Sequence, residues 1–268
     1  MPFFETSGIR YWAFDSLLAH GVKHGFITRR GGVSRSPWAS LNVGGTTGDD
    51  ENHVRQNHQR IFNAFERPMN SMFDVWQVHG KDVVTTQKAR PAGTEHEKAD
   101  GILTNNHAVT LFMRFADCVP IILYDPVHQA GGIVHAGWMG TVKKISAQAV
   151  IAMQKTYQSA PADIVAAIGP SIGPDDYEIG QNVIDAVHQA FDNAAIARLL
   201  LKRNGSVFFD LWAANEIALR EVGVNQVECA GISTFAHVDD WFSHRKEKGT
   251  TGRFGVLFCV PERGNSHG

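Results

Sequence analysis

Residues 116–140 read ADCVPIILYDPVHQAGGIVHAGWMG. Two apolar runs, 119–124 and 132–134, flank the turn-forming pair Asp125-Pro126. Short apolar runs bounded by turn residues read as buried strands. Strands joined by a short turn are neighbours, which brings together the residues at their open ends. Here those residues are Cys118, at the mouth of the first run, and His135, at the end of the second. Gly137, Trp138 and Gly140 then mark a turn into a helical pattern. Upstream, Trp76-Gln77-Val78-His79-Gly80 again sets an imidazole between a short apolar run and a glycine. A thiolate and two imidazoles at strand ends form a three-ligand metal site with an open position, the pattern of catalytic zinc. Taken singly, each of the three would be a packing residue, as free cysteine often is. The repeated strand-end context is what joins them.

Working outward, the chain has 268 residues, 43% of them hydrophobic, enough for a large core. It shows no repeat, no low-complexity tract and no linker, so residues 1–268 read as one domain. The 25 basic and 27 acidic residues nearly cancel, and no basic stripe argues for a nucleic-acid partner. No apolar run approaches the ~18 residues of a membrane span. The opening MPFFETSGIRYW lacks the basic and apolar regions of a signal peptide. Three widely spaced cysteines argue against a disulfide framework. The expectation is a cytoplasmic protein with reduced thiols, a monomer or small homo-oligomer.

Strand-like segments at 22–28, 73–78, 83–86, 99–104, 109–115, 162–168 and 254–260 mix with helical patterns at 139–157, 182–191 and 211–222. A further helix is capped by Asp49-Asp50 and ends before Pro68, with Asp210 capping the helix at 211. Strands and helices do not strictly alternate. This favours mixed β-sheets with helices outside over a doubly wound parallel sheet. The loop Arg29-Arg30-Gly31-Gly32-Val33-Ser34 and the following Ser40-Leu41-Asn42-Val43-Gly44 admit two readings. One is a tight surface turn. The other is an anion or ribose cradle with Arg29, Ser34 and Asn42 as donors.

If His79, Cys118 and His135 converge, the fourth position takes water, whose pKa on zinc falls to about 7. Zinc deaminases use such a site to displace ammonia from a purine. Asp117, beside the cysteine, is the candidate proton carrier, with a solvated or structural aspartate as the alternative.

The motifs QVHG at His79, ADCVP at Cys118 and HAGWMG at His135 resemble those of the YfiH-like family. This family is also called the multi-copper polyphenol oxidoreductase or laccase-domain family, and the purine nucleoside phosphorylase family. The likeness extends through TRRGGVS (28–34), SLNVG (40–44), ADGILT (99–104), IGPSIGPDDYEIG (168–180), DLWAAN (210–215) and FSHRKEKGTTGR (242–253). It implies zinc held by His79, Cys118 and His135. It also implies phosphorolysis of adenosine, inosine, guanosine and S-methyl-5'-thioadenosine, with adenosine deaminase as a further activity. The implied partners are purine nucleosides and phosphate, and the implied fold is an α+β layered sandwich of mixed β-sheets flanked by helices, resembling that of cysteine hydrolases. Where the family often has Cys-Thr, this chain reads Ser233-Thr234, with Cys229 nearby. Phosphorolysis needs cations to hold phosphate at the anomeric carbon, and Arg29 and Arg245 are the candidates, since a guanidinium fork matches phosphate oxygens.

Three rival readings differ in chemistry. A copper-dependent polyphenol oxidase could use a His₂Cys site, but oxygen reduction needs a further cluster of histidines, and no HxH pair occurs. A metal-free hydrolase would use Cys118 as nucleophile and His135 as base, for instance on an amide of a peptidoglycan precursor. A binding module would keep the pocket without turnover.

Overall fold

The computed structural model describes residues 3–262. At its centre, residues Val119–Asp125 and Ala130–Ala136 pair antiparallel, with Val119 opposite Ala136 and Pro120 opposite His135. In chain order the strands begin with β1 (Phe3–Thr6), β2 (Ile9–Trp12), β3 (Lys23–Ile27), β4 (Met72–Phe73) and β5 (Val83–Thr85). Then come β6 (Gly101–Thr104), β7 (Thr110–Phe115), β8 (Val119–Asp125), β9 (Ala130–Ala136) and β10 (Val165–Ile168). The last are β11 (Glu178–Ile179), β12 (Leu200–Arg203), β13 (Ser206–Phe209), β14 (Gln226–Cys229) and β15 (Phe254–Cys259). The helices are α1 (Asp15–Ala19), α2 (Glu51–Ala64), α3 (Trp138–Val142), α4 (Ile145–Tyr157), α5 (Gln181–Ala190), α6 (Asn193–Leu199) and α7 (Leu211–Glu221).

Two six-stranded sheets run β1-β2-β3-β15-β7-β4 and β14-β10-β8-β9-β6-β5, and a small sheet is ordered β11-β13-β12. Both large sheets are mixed, because β4–β7, β5–β6 and β10–β14 pair in parallel while their other neighbours run antiparallel. Between the sheets, Phe26, Leu111, Met113, Val256 and Phe258 meet Ile122, Tyr124, Ile133, Val165 and Ala167. The outer face of the second sheet packs Ile121, Leu123 and Val134 against Val150 and Met153 of α4 and Leu219 of α7. The outer face of the first packs Ile27, Phe112 and Leu257 against Ile61 and Phe62 of α2. The layers are therefore helix, sheet, sheet, helix. Alternate residues of β8 serve opposite cores, which is why 119–124 is apolar throughout rather than alternating.

The caps expected from sequence form: Asp50 accepts from Asn52 N and Asp210 from Ala213 N. Three expected elements differ. The helix expected over 139–157 is divided, since Lys144 lies in the left-handed region (φ 55°) between α3 and α4. The strand expected from 162 starts at Val165, after a helical turn at Pro161–Asp163. Of 73–78, only the start is a strand. The Gln77 side chain replaces the ladder, accepting from Arg114 N (3.0 Å) and donating to Arg114 O (2.8 Å). Cys118, Cys229 and Cys259 are free thiols. Among the described residues no helix is long and apolar enough to cross a membrane.

Two histidines make the fold sensitive to acid. His24 is buried as a neutral ring, with Nδ1–H donating to Val22 O (3.0 Å) and Nε2 accepting from Phe14 N (2.9 Å). His58 lies under α2 against Val43 O. Burial pushes each down to about 4, and Arg114 adds to the effect at His58. A folded pKa below the unfolded one means that the unfolded chain takes up protons first as pH falls. The stability these rings contribute is complete above about pH 6.5 and is lost on descent towards pH 4. At about 1.4 kcal/mol per pKa unit, the loss is about 3 kcal/mol for each ring. Urea unfolding is expected to show a much lower midpoint at pH 4.5 than at pH 7. An unchanged midpoint would contradict the assignment.

Candidate metal centre

Extending the β8–β9 register by one residue sets Cys118 opposite Gly137, beside His135 at the end of β9. The loop after β4 delivers His79. Ligand atoms of His79, Cys118 and His135 all lie within 4.8 Å of one another. The two imidazole rings stand edge to face with centroids 4.9 Å apart. A Cβ on Gly137 would lie 2.9 Å from Cys118 Sγ and 3.0 Å from His79 Cδ2. Only glycine leaves this space open. A thiolate and two imidazoles around such a gap suit a zinc-type divalent ion. Among the described residues, this is the one cluster of three or more such donors.

Asp100, fully buried just before β6, organises the cluster. Its Oδ1 lies 2.8 Å from His135 Nδ1. Its carboxylate also accepts from the backbone amides of Val78 (3.2 Å), His79 (3.0 Å) and Gly80 (2.6 Å). His79 sits at φ 58°, a left-handed conformation that costs a non-glycine residue on the order of 1–3 kcal/mol. The three amide bonds to Asp100 hold it there. One carboxylate thus fixes the loop that carries one imidazole and the ring orientation of the other. With Nδ1–H donating to Asp100, the Nε2 lone pair of His135 is left for a metal.

Burial alone would push the Cys118 thiol up, but the charge of His135 and contacts with both imidazoles outweigh it, and the net direction is down. His135 moves the opposite way: burial opposes its charge, and Cys118 and Asp100 more than compensate. Both directions favour the thiolate form of Cys118 and the charged form of His135. A divalent ion would take the place of the proton on His135.

Asp117 also lies in the left-handed region (φ 79°) and is almost fully buried. Its carboxylate accepts from Thr234 Oγ1 (2.6 Å) and from Arg245 N (2.7 Å). Both oxygens thereby hold the turn that presents Cys118, as the structural reading of this aspartate expects. The Ser233-Thr234 pair contributes to the same scaffold: Ser233 Oγ accepts from Gly173 N (3.1 Å) and donates to Asp176 (2.5 Å).

The donors form part of the wall of a cavity of about 470 Å³. Gly44, Gly45, Thr46, Trp76, Arg114 and Arg253 form other parts of the wall. The expected cradle donors are not among the lining residues. Arg29 is committed to Ala39 O (2.9 Å), Val238 O (3.0 Å) and Glu247 (3.0 Å) and stacks on Phe242. Ser34 accepts from Asn57, and Asn42 binds Thr47, Asp49 and the amides of Gly44 and Arg253. These side chains shape the glycine loop from behind, as polar residues in turns commonly do. Arg245 donates to Glu178 O (2.7 Å) with its guanidinium over Tyr177. The cations on the wall are instead Arg114, paired with Asp74 at 2.5 Å, and Arg253. Sequence reading singled out neither of these, nor Asp100. The only trace was that Asp100 and Arg253 fall inside the ADGILT and TTGR stretches.

Comparison with known proteins gives a consistent result. The family described as multi-copper polyphenol oxidoreductase laccase matches residues 23–260. The protein named purine nucleoside phosphorylase YlmD from Bacillus subtilis (strain 168) is 36% identical over 257 residues, covering 93% of this chain and 92% of its own length. Purine nucleoside phosphorylase YfiH from Shigella flexneri is 33% identical over 238 residues, covering 88% and 93%. The crystal structure of YlmD from Geobacillus stearothermophilus superposes with a TM-score of 0.89 at 32% identity, over 97% of this chain and 99% of that one. The chain belongs to the laccase-like YfiH family.

Proposed function

We propose that this chain is a zinc-dependent purine nucleoside phosphorylase of the cytoplasm. Its substrates on this reading are adenosine, inosine, guanosine and S-methyl-5'-thioadenosine, with adenosine deamination as a further activity. The observation that carries the reading is one cavity of nucleoside size with the His79, Cys118 and His135 donors in its wall. Relatives named purine nucleoside phosphorylases cover nearly the whole chain and supply the reaction class.

In phosphorolysis a phosphate oxygen bonds to C1′ while the bond from C1′ to the purine nitrogen breaks. The bonding pair departs with the purine, which then takes up a proton. The site must hold two anionic groups, the incoming phosphate and the leaving base, in a partly dry pocket. Zinc, when bound, supplies Lewis acidity beside the substrate. The chain supplies the rest. Cys118 and the imidazoles fix the ion, Asp100 fixes the imidazoles, and the wall offers cationic and apolar surfaces. Trp76 is 50% exposed on that wall and presents an aromatic face for a base, a contact typically worth about 1–3 kcal/mol.

One feature weighs against the copper rival, and metal content separates the hydrolase. A single three-donor cluster among the described residues favours a mononuclear centre over a multicopper array. The Cys118–His135 pair could serve a metal-free hydrolase, but a stoichiometric ion would occupy the thiolate that such a nucleophile needs. The test is a nucleoside panel assayed for free base with and without phosphate. Base release from inosine that depends on phosphate, with formation of a ribose 1-phosphate, is the expected result. Equal release without phosphate, or none, would reject the proposal.

A further inference from the structure

Of the two guanidinium groups on the cavity wall, Arg114 has a carboxylate partner in Asp74. Among the described residues Arg253 forms no ion pair, and its guanidinium donates to backbone carbonyls only. Its main chain is locked to the glycine loop, with Arg253 N donating to Asn42 Oδ1 (2.8 Å) and Arg253 O accepting from Val43 N (3.0 Å). Its stem lies against Gly44, where a Cβ would come 2.8 Å from Arg253 Cγ. Its Nη1 donates to Thr251 O (3.3 Å) and Gly252 O (2.8 Å). Nε and Nη2 carry no partner among the described residues. Gly45 and Thr46 line the same cavity, and their backbone N–H groups carry no partner among the described residues. Burial works against the charge of this guanidinium, and Cys118 and Asp117 favour it.

A partly desolvated, preoriented cation without a paired carboxylate is costly unless an anion completes it. The guanidinium fork matches the edge of a tetrahedral oxyanion, and adjacent loop amides complement it. We propose that Arg253, with the amides of Gly45 and Thr46, forms the subsite that holds inorganic phosphate in this cavity. The assignment rests on the phosphorolytic reading for its use, though not for the binding itself. It supersedes Arg29 and Arg245 as the phosphate cations. The competing role for Arg253 is simple counter-ion to the Cys118 thiolate, which would leave phosphate affinity independent of it.

The test titrates inorganic phosphate by calorimetry into the metal-loaded wild type, Arg253→Gln and Arg253→Lys, and measures KM for phosphate and inosine separately. Losing a charge-assisted bond of this kind is expected to weaken phosphate by about tenfold to a hundredfold in the Gln variant. The inosine KM should stay within about twofold, since the subsite contacts phosphate rather than the nucleoside. The Lys variant keeps the charge and the stem on Gly44 and loses the fork, so an intermediate loss is expected. It also tests the proposal if the Gln variant fails to fold. Unchanged phosphate Kd and KM in both variants, or a wild type that binds no phosphate, would overturn the subsite. A wild type that binds phosphate through Arg253 yet releases no purine would remove the phosphorolytic reading and leave the subsite standing.

Discussion

Cys118→Ala is expected to lose its bound ion and, with it, phosphate-dependent release of hypoxanthine from inosine, by about a thousandfold or more, equivalent to ~4 kcal/mol. The thiolate is the one anionic donor of the three. Two neutral imidazoles alone hold a divalent ion far less tightly. Without the sulfur, His135 also loses the partner that favours its charge, and Asp100 alone remains to hold it. Cys118→Ser is the sharper control, because it keeps size and polarity while removing the soft ligand. It should behave nearly like the alanine variant. Circular dichroism should show both variants folded, since Cys118 lies just before β8, partly buried at the edge of the core between the sheets. Wild-type rates in either variant would mean that the ion is not held through sulfur, or plays no part in the reaction.

Asp100→Asn is expected to weaken metal affinity by about tenfold to a hundredfold, as loss of a carboxylate behind a ligating histidine generally does. The amide has nearly the shape of the carboxylate, but one of its two ends is a donor. That end must face either His135 Nδ1–H or the amides of Val78 and Gly80, which are donors themselves. Each such clash leaves a buried donor unmatched at a cost of about 1–3 kcal/mol. The left-handed turn at His79 loses support at the same time. Competition against a chelating dye measures the affinity directly, without reference to turnover. An affinity within twofold of wild type would show that Asp100 neither orients His135 nor holds the His79 loop.

The meeting of Cys118 and His135 was legible because it depends on local facts: two apolar runs, one tight turn and two strand ends. Mixed sheets with helices outside were legible from the mixture of strand and helix patterns, and the continuous apolar character of 119–124 matches a strand buried on both faces. Asp100 was not legible as an organiser. Its role depends on β6 pairing with β9, a non-consecutive neighbour whose register places Gly101 opposite Val134. No local pattern in ADGILT announces that partner. The hydrogen-bonding atoms of Arg29, Ser34 and Asn42 turn inward to build the loop that carries them. Residue type alone does not distinguish a side chain that binds a ligand from one that shapes the loop beside it. Strands β11, β12 and β14 mix charged or polar residues into two to four positions, unlike the apolar runs of β6 and β10, so no strand pattern marks them. The segment 73–78 misled for a different reason: Gln77 takes over the hydrogen bonds that a continuing strand would have made.

The most direct test of the centre is to strip the natively purified protein with a strong chelator and then restore zinc, following hypoxanthine release from inosine and phosphate throughout. About one divalent ion per chain, activity lost on stripping and regained with one equivalent of zinc, is the predicted course. Full phosphorolysis by the metal-free protein would contradict it.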